Sequence, residues 1–170
     1  AASQKRLNEF LQTKPTIHNT PKAQDVILQG DIQFKHVDFV YPHTGIHAIK
    51  DFNIHIKKGE KVLIVGKTGS GKSSISQLLL RMYDPTNGSI LIDDIDTKRL
   101  SLQSLRQQIS YVPQDVFLFS DSINNNIKFG FPTAEEVLVH KAAHQASIEK
   151  DIADFSQQYE TVVGERGVTL

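Results

Sequence analysis

At 170 residues, 39% of them hydrophobic and 22% charged, the chain has the size and composition of one ordinary globular domain with a real core. Nineteen basic residues balance nineteen acidic ones, which argues against nucleic acid or an acidic membrane surface as the main partner. With no cysteine there can be no disulfide and no thiolate zinc site, so a reducing compartment is natural, and the longest apolar runs (VLIV at 62–65, LLL at 78–80) are far too short to cross a bilayer. No signal peptide and no initiator Met are visible, so the chain is expected to be an excerpt.

In chain order, residues 2–13 carry Leu7, Phe10 and Leu11 at helical spacing and predict a short amphipathic helix. Pro15 and Pro21 bracket a polar linker without periodicity. From Asp31 the pattern alternates, with Ile32 and Phe34 in one phase and Val37, Phe39 and Tyr41 one residue out of step, which predicts a bulge near Lys35–His36. A turn at YPHTG leads to a second strand with Phe52, Ile54 and Ile56 on one face, closed by a turn at Lys58–Gly59–Glu60. Two strands before any core helix predict an antiparallel layer. KVLIV at 61–65 is a continuous apolar run, the pattern of a strand buried on both faces. A glycine-rich loop and a helix bearing Ile75, Leu78 and Leu79 follow, and DPTNG at 84–88 ends that helix before a strand at SILID. Leu102, Leu105 and Ile109 mark a further short helix, and ISYVP at 109–113 predicts a last buried strand. Beyond Gln114 the character is helical, and Thr133 with Glu136 predicts a capping box opening a helix of about ten residues.

The loop reads GKTGSGKS over Gly66–Ser73 and fits G-x-x-x-x-G-K-[ST] at every fixed position. With glycine at roughly 7% of residues, chance gives this pattern in well under about 1% of chains this long. Gly66, Gly69 and Gly71 allow positive φ and close backbone approach to phosphate oxygens. The amides of Gly66, Lys67, Thr68, Gly69, Ser70 and Gly71 would then line an anion-binding concavity at the amino end of a helix beginning near Lys72. Lys72 supplies a point charge for the β- and γ-phosphates, Ser73 a hydroxyl for Mg²⁺, and Ser74 a hydroxyl for the α-phosphate.

A phosphate loop alone leaves kinases, GTPases, helicases and transporter ATPases open. The stretches GDIQFKHVDFVYP, HAIKDFNIHIKKGEKVLIVGKTGSGKSS, YDPTNGSILID and LRQQISYVPQDVFLFSDSINNNI, in this order, closely resemble the nucleotide-binding domain of ATP-binding cassette (ABC) transporters, best the exporter type, over residues 30–170. The resemblance implies an α/β phosphate-loop ATPase core with an N-terminal antiparallel β layer and the start of a helical subdomain, incomplete. It divides the chain into a linker helix and linker from a membrane domain (1–29), the β layer with the phosphate-loop core (30–113), and the glutamine loop with a partial helical subdomain (114–170). It places Tyr41 where the family stacks an aromatic ring on adenine, so the ring is expected to matter and the hydroxyl little. It places Gln114 on the glutamine loop, whose carboxamide reaches Mg²⁺ and the attacking water and whose following residues touch the membrane domain.

ATP and Mg²⁺ are thus the expected ligands. The expected partners are a membrane domain of the same or another chain and a second nucleotide-binding domain, identical or not, with no nucleic acid, at the cytoplasmic face of a membrane. Tyr159–Gly167 resembles the segment before the family's signature sequence, and Leu170 its first residue. The rest of the signature, the acidic strand, the general-base glutamate and the switch histidine are expected beyond it, so residues 1–170 alone are expected to be inactive and not autonomously stable. A soluble ABC ATPase fits less well, given the exporter-like linker and the VPQDVFLFSDSI run; a module that binds without hydrolysing stays open.

Other constellations fall short. His140 and His144 sit four apart, but HKAAH lacks the glutamate of the zinc-protease motif. Asp93, Asp94 and Asp96 lack the glycine and distant glutamate of a calcium loop and read as a surface turn.

Overall fold

The computed structural model describes residues 2–12, 14–115 and 117–164. The chain forms two compact units, residues 1–110 and 111–170.

In the first unit, helix α1 (Ala2–Leu11) forms as the spacing predicts, with Leu7, Phe10 and Leu11 exposed. Strands β1 (Ile32–Val40), β2 (His47–Ile56), β3 (Asn87–Ile92) and β4 (Ile95–Asp96) build one antiparallel sheet in the order β2-β1-β3-β4. Alternation puts Phe34, Val37 and Phe39 on the covered face of β1. The predicted slip is there. The pairing of β1 with β2 shifts between Phe34 and Val37, and His36 takes φ 48°. That lets both apolar phases of β1 face one core.

Helix α2 (Lys72–Leu79) closes that core by laying Leu78 among Phe34, Val37, Phe39, Ile49 and Ile90. Burying such a leucine contributes about 1.5–3 kcal/mol. Phe34 and Phe52 meet edge to face at 5.4 Å. The outer face of the β1–β2 pair is polar and carries three cross-strand pairs, His36–Asp51 (2.8 Å), His47–Asp38 (3.2 Å) and His55–Asp31 (2.9 Å). Asp93 and Asp94, both at positive φ, make the two-residue turn between β3 and β4. The Asp93 carboxylate accepts the amides of Gln29 (2.6 Å) and Asp31 (3.0 Å), so the aspartate cluster is a turn and a clasp.

Linker residues 18–28 are not loose. Gln24 bridges Leu100 in parallel fashion, and Ser101 Oγ donates to Asp25 at 2.5 Å. Val26 exchanges hydrogen bonds with the Ser104 hydroxyl, its amide donating at 3.3 Å and its carbonyl accepting at 3.1 Å. Gln108 accepts from Leu28 N–H (2.8 Å) and donates to the Val26 carbonyl (2.8 Å), so one carboxamide imitates a strand neighbour. This strap lies along α3 (Leu102–Gln107), which Ser101 caps, and Val26 and Leu28 pack on Leu100, Leu105 and Ile92.

Two expected strands do not form. Residues 61–65 and 109–113 carry no ladder among the described residues, and Leu63 and Val112 stand 85% and 88% exposed. A continuous apolar strand needs neighbours on both edges and cover on both faces. The described residues pair neither run with a neighbouring strand, and only Ile109, at the start of the second, packs on the core.

In the second unit, Ser122 caps α4 (Ile123–Lys128), and α5 (Glu136–Gln145) and α6 (Glu149–Asp154) bury Val139, Ala143 and Ile152. The predicted capping box fails. Helix α5 starts at Glu136 with Glu135 as its N-cap, two residues after Thr133. The Glu136 carboxylate goes instead to Lys128 and to the buried Asn124, whose amide reaches both oxygens at 3.1 Å. Two partners outweigh one backbone N–H.

Candidate functional site

The phosphate loop sits between β2 and α2 in chain order, and its glycines are required for two different reasons. Gly71 is the N-cap of α2 at φ 87°, and a Cβ there would run into the carbonyl oxygen of Ala48 on β2. Gly66 does not take a left-handed φ; its place is tight because a Cβ would lie 2.5 Å from Ser70 Oγ. The first amides of a helix beginning at Lys72 have no carbonyl four residues back within it, and Ile75 N–H is the first to close onto Gly71 O (3.2 Å). The Lys72 ammonium folds over the loop, donating to the carbonyls of Gly66 (2.8 Å) and Lys67 (2.8 Å) and to Ser70 Oγ (3.4 Å). The loop's own backbone thus holds the cation at its mouth. Thr68 and Gly69 form the turn at the tip, Gly69 at φ 80°.

Two serines follow the lysine with opposite surroundings. Ser73 is exposed, with its hydroxyl available to a ligand, while Ser74 is buried against the sheet. Tyr41, at the end of β1, comes to the same place: its hydroxyl lies 2.8 Å from Ser74 Oγ and donates to Gln77 Oε1 at 2.9 Å. Its ring meets Phe39 (4.7 Å) and Tyr83 (5.4 Å) edge-on. The structure therefore brings Tyr41, the phosphate loop, Lys72, Ser73 and Ser74 together in one unit. The hydroxyl expected to matter little is doubly hydrogen-bonded. Gln77 was missed by sequence reasoning; its place one turn after Ser74 on α2 was the available signal.

Gln114 lies in the second unit, exposed in a bend. The residues after it present an aromatic surface: Phe119 stacks on Phe129 at 4.2 Å and meets Phe117 edge-on at 5.0 Å, and all three are exposed. Asn126 fixes that loop by accepting Phe119 N–H (2.8 Å) and donating to Phe119 O (3.0 Å). His140 packs on the Tyr159 ring at 4.2 Å and His144 bonds Glu149 at 2.9 Å, which accounts for both without a metal. Burial pushes the Tyr159 hydroxyl pKa up, with Glu149 adding to the shift. Leu170 and the end of the segment compared with the approach to the signature lie outside the described residues.

Comparison with known proteins places the chain in a family. The sequence model of the ABC transporter family matches residues 49–168. The chain belongs to the ABC transporter family. It is 39% identical to "ABC transporter ATM1" of Toxoplasma gondii, over 99% of this chain and 17% of that protein. It is 40% identical to "Probable multidrug resistance ABC transporter ATP-binding/permease protein YheI" of Bacillus subtilis, over 99% of this chain and 29% of that one. Among solved structures, "Structure of a bacterial Atm1-family ABC exporter with ATP bound" superposes with a TM-score of 0.92 at 35% identity, covering 99% of this chain and 30% of that one. The chain thus spans less than a third of each of these relatives and corresponds to the nucleotide-binding part of an exporter-type ABC transporter. No helix among the described residues is long and apolar enough to cross a membrane.

Proposed function

We propose that this chain binds ATP with Mg²⁺ and, paired with a second nucleotide-binding domain, hydrolyses it to drive export through a membrane domain, from the cytoplasmic face of the membrane. The observation that carries this reading is the phosphate cradle itself: a left-handed Gly71 pressed on Ala48, a helix N-terminus behind it, and Lys72 held across the mouth. A polyphosphate would take the lysine from the carbonyls of Gly66 and Lys67, because a charged acceptor outbids neutral ones. The backbone from Gly66 to Gly71 would surround the phosphates, Ser74 would donate to the α-phosphate, and the Tyr41 ring would stack on adenine.

The donor set fits Mg²⁺, which keeps several waters and needs few protein oxygens beside the phosphates. The Ser73 hydroxyl is exposed and is a hard oxygen donor of the right kind. Bound there, the ion would neutralise charge developing on the phosphoryl oxygens. The family resemblance gives Gln114 a share in holding the ion and in orienting the attacking water. The exposed rings of Phe117, Phe119 and Phe129 support docking of the membrane domain, since aromatic clusters of this kind favour protein interfaces.

Lys72→Ala tests the reading. Its bonds run to loop carbonyls and not to the core, so in the full-length domain the variant should lose ATP affinity, by calorimetry, with an unchanged melting curve. ATP affinity equal to the parent would overturn it.

A further inference from the structure

Tyr41, Ser74 and Gln77 form a three-membered hydrogen-bond chain whose proton count is fixed. With Gln77 oriented so that Oε1, which can only accept, faces Tyr41, the tyrosine donates its single hydroxyl proton there, at 2.9 Å. The contact of 2.8 Å between Tyr41 Oη and Ser74 Oγ then needs its proton from Ser74. Ser74 is buried, and its one proton is committed to tyrosine. A phosphate oxygen carries only lone pairs and cannot accept from a serine whose proton points elsewhere.

We propose that Gln77 is a positioning residue that sets the direction of this relay, so that Tyr41 and the phosphate compete for the Ser74 proton. This rests on the reading of Gly66–Ser74 as a nucleotide site. In the resting direction the chain runs from Ser74 to Tyr41 to Gln77. With phosphate in place it reverses: Tyr41 donates to Ser74, Ser74 donates to the phosphate, and Gln77 loses its donor. Binding therefore exchanges one hydrogen bond for another instead of adding one. The ring stays where Phe39 and Tyr83 hold it, so the cost falls on ligands bearing an α-phosphate and not on the base. Removing the acceptor (Gln77→Met) or the intermediary (Tyr41→Phe) frees the Ser74 proton, and each should tighten phosphate-bearing ligands.

The test is calorimetric titration of the full-length protein with ADP–Mg²⁺, which is not turned over, and with adenosine, which lacks phosphate. Tyr41→Phe, Gln77→Met and the double variant are each expected to bind ADP roughly twofold to tenfold tighter than the parent, the worth of one net hydrogen bond. The double variant should gain no more than either single, adenosine should be unaffected, and both substitutions should be silent when Ser74 is alanine. A merely structural role for Gln77 would weaken ADP and adenosine alike. That result, additive gains, or ADP affinities equal to the parent would overturn the relay while leaving the nucleotide site standing. No ADP binding by the parent would overturn both.

Discussion

Gly71→Ala should be the most damaging single-methyl change in the phosphate loop. Two costs add. Residue 71 takes φ 87°, and placing an L side chain there costs about 1–2 kcal/mol. The new Cβ would also overlap the Ala48 carbonyl oxygen and press on Ile49 Cγ1 at 3.4 Å. Both belong to β2, which is paired with β1 along its length, so relief requires moving a hydrogen-bonded strand. Overpacking of that kind costs about 1–3 kcal/mol. The total of about 2–5 kcal/mol is a large share of a typical stability of about 5–15 kcal/mol. Gly69→Ala supplies the control. Its φ is 80°, but nothing lies within 4 Å of a Cβ there, so only the about 1–2 kcal/mol backbone cost applies. Gly66→Ala supplies a second, because its clash is with the Ser70 side chain and should be relieved by Ser70→Ala. Urea unfolding of the parent and the variants, at constant m, reads these differences as shifts in midpoint. If Gly71→Ala and Gly69→Ala agree within about 0.5 kcal/mol, the contact with β2 does not constrain the loop and the argument fails.

Gln114→Ala should reduce ATP turnover by a larger factor than ATP affinity, since water orientation counts in the transition state. Steady-state rates beside equilibrium titrations separate the two, and equal losses would make Gln114 a binding group only. Hydrogen bonds from His55, then Gln33, hold the Asp31 carboxyl below the usual carboxylate range, and bonds from His36, then Asn53, do the same for Asp51. A carboxyl depressed in the fold stabilises it above the unfolded value near about pH 4 and loses that contribution as pH falls through the folded value. Denaturation midpoints should therefore drop modestly from about pH 5 toward pH 3, and less steeply in an Asp31→Asn, Asp51→Asn variant. Parallel pH profiles for variant and parent would refute this.

The loop's glycines were legible because its turn needs positive φ at Gly69 and Gly71; the clash that a side chain at residue 71 would make with Ala48 was not. The β1 bulge was legible too, because a slip in alternation must be absorbed where it occurs, here at His36. The reading failed where a partner decided the outcome. KVLIV has the composition of a central strand, yet a strand exists only against neighbours, and Leu63 has none among the described residues. Thr133 and Glu136 have the spacing of a capping box, but Lys128 and Asn124 claim the carboxylate. The Tyr41 hydroxyl was discounted because stacking needs only a ring; its bonds to Ser74 and Gln77 depend on how β1 and α2 come together, which no local pattern records.

The strap along α3 has a consequence for how the chain is made. Its bonds join residues about eighty apart, such as Leu28 to Gln108. At a synthesis rate of about 5–20 residues per second, residues 18–28 leave the ribosome roughly 4–16 s before their partners exist. Helices and hairpins form in microseconds, so β1 and β2 are free to pair while the strap is still waiting. Val26 and Leu28 spend that interval without the cover of Leu100 and Leu105. The polar character of the surrounding linker, uninformative as a structural pattern, keeps a nascent segment soluble until the helix it belongs to has been translated.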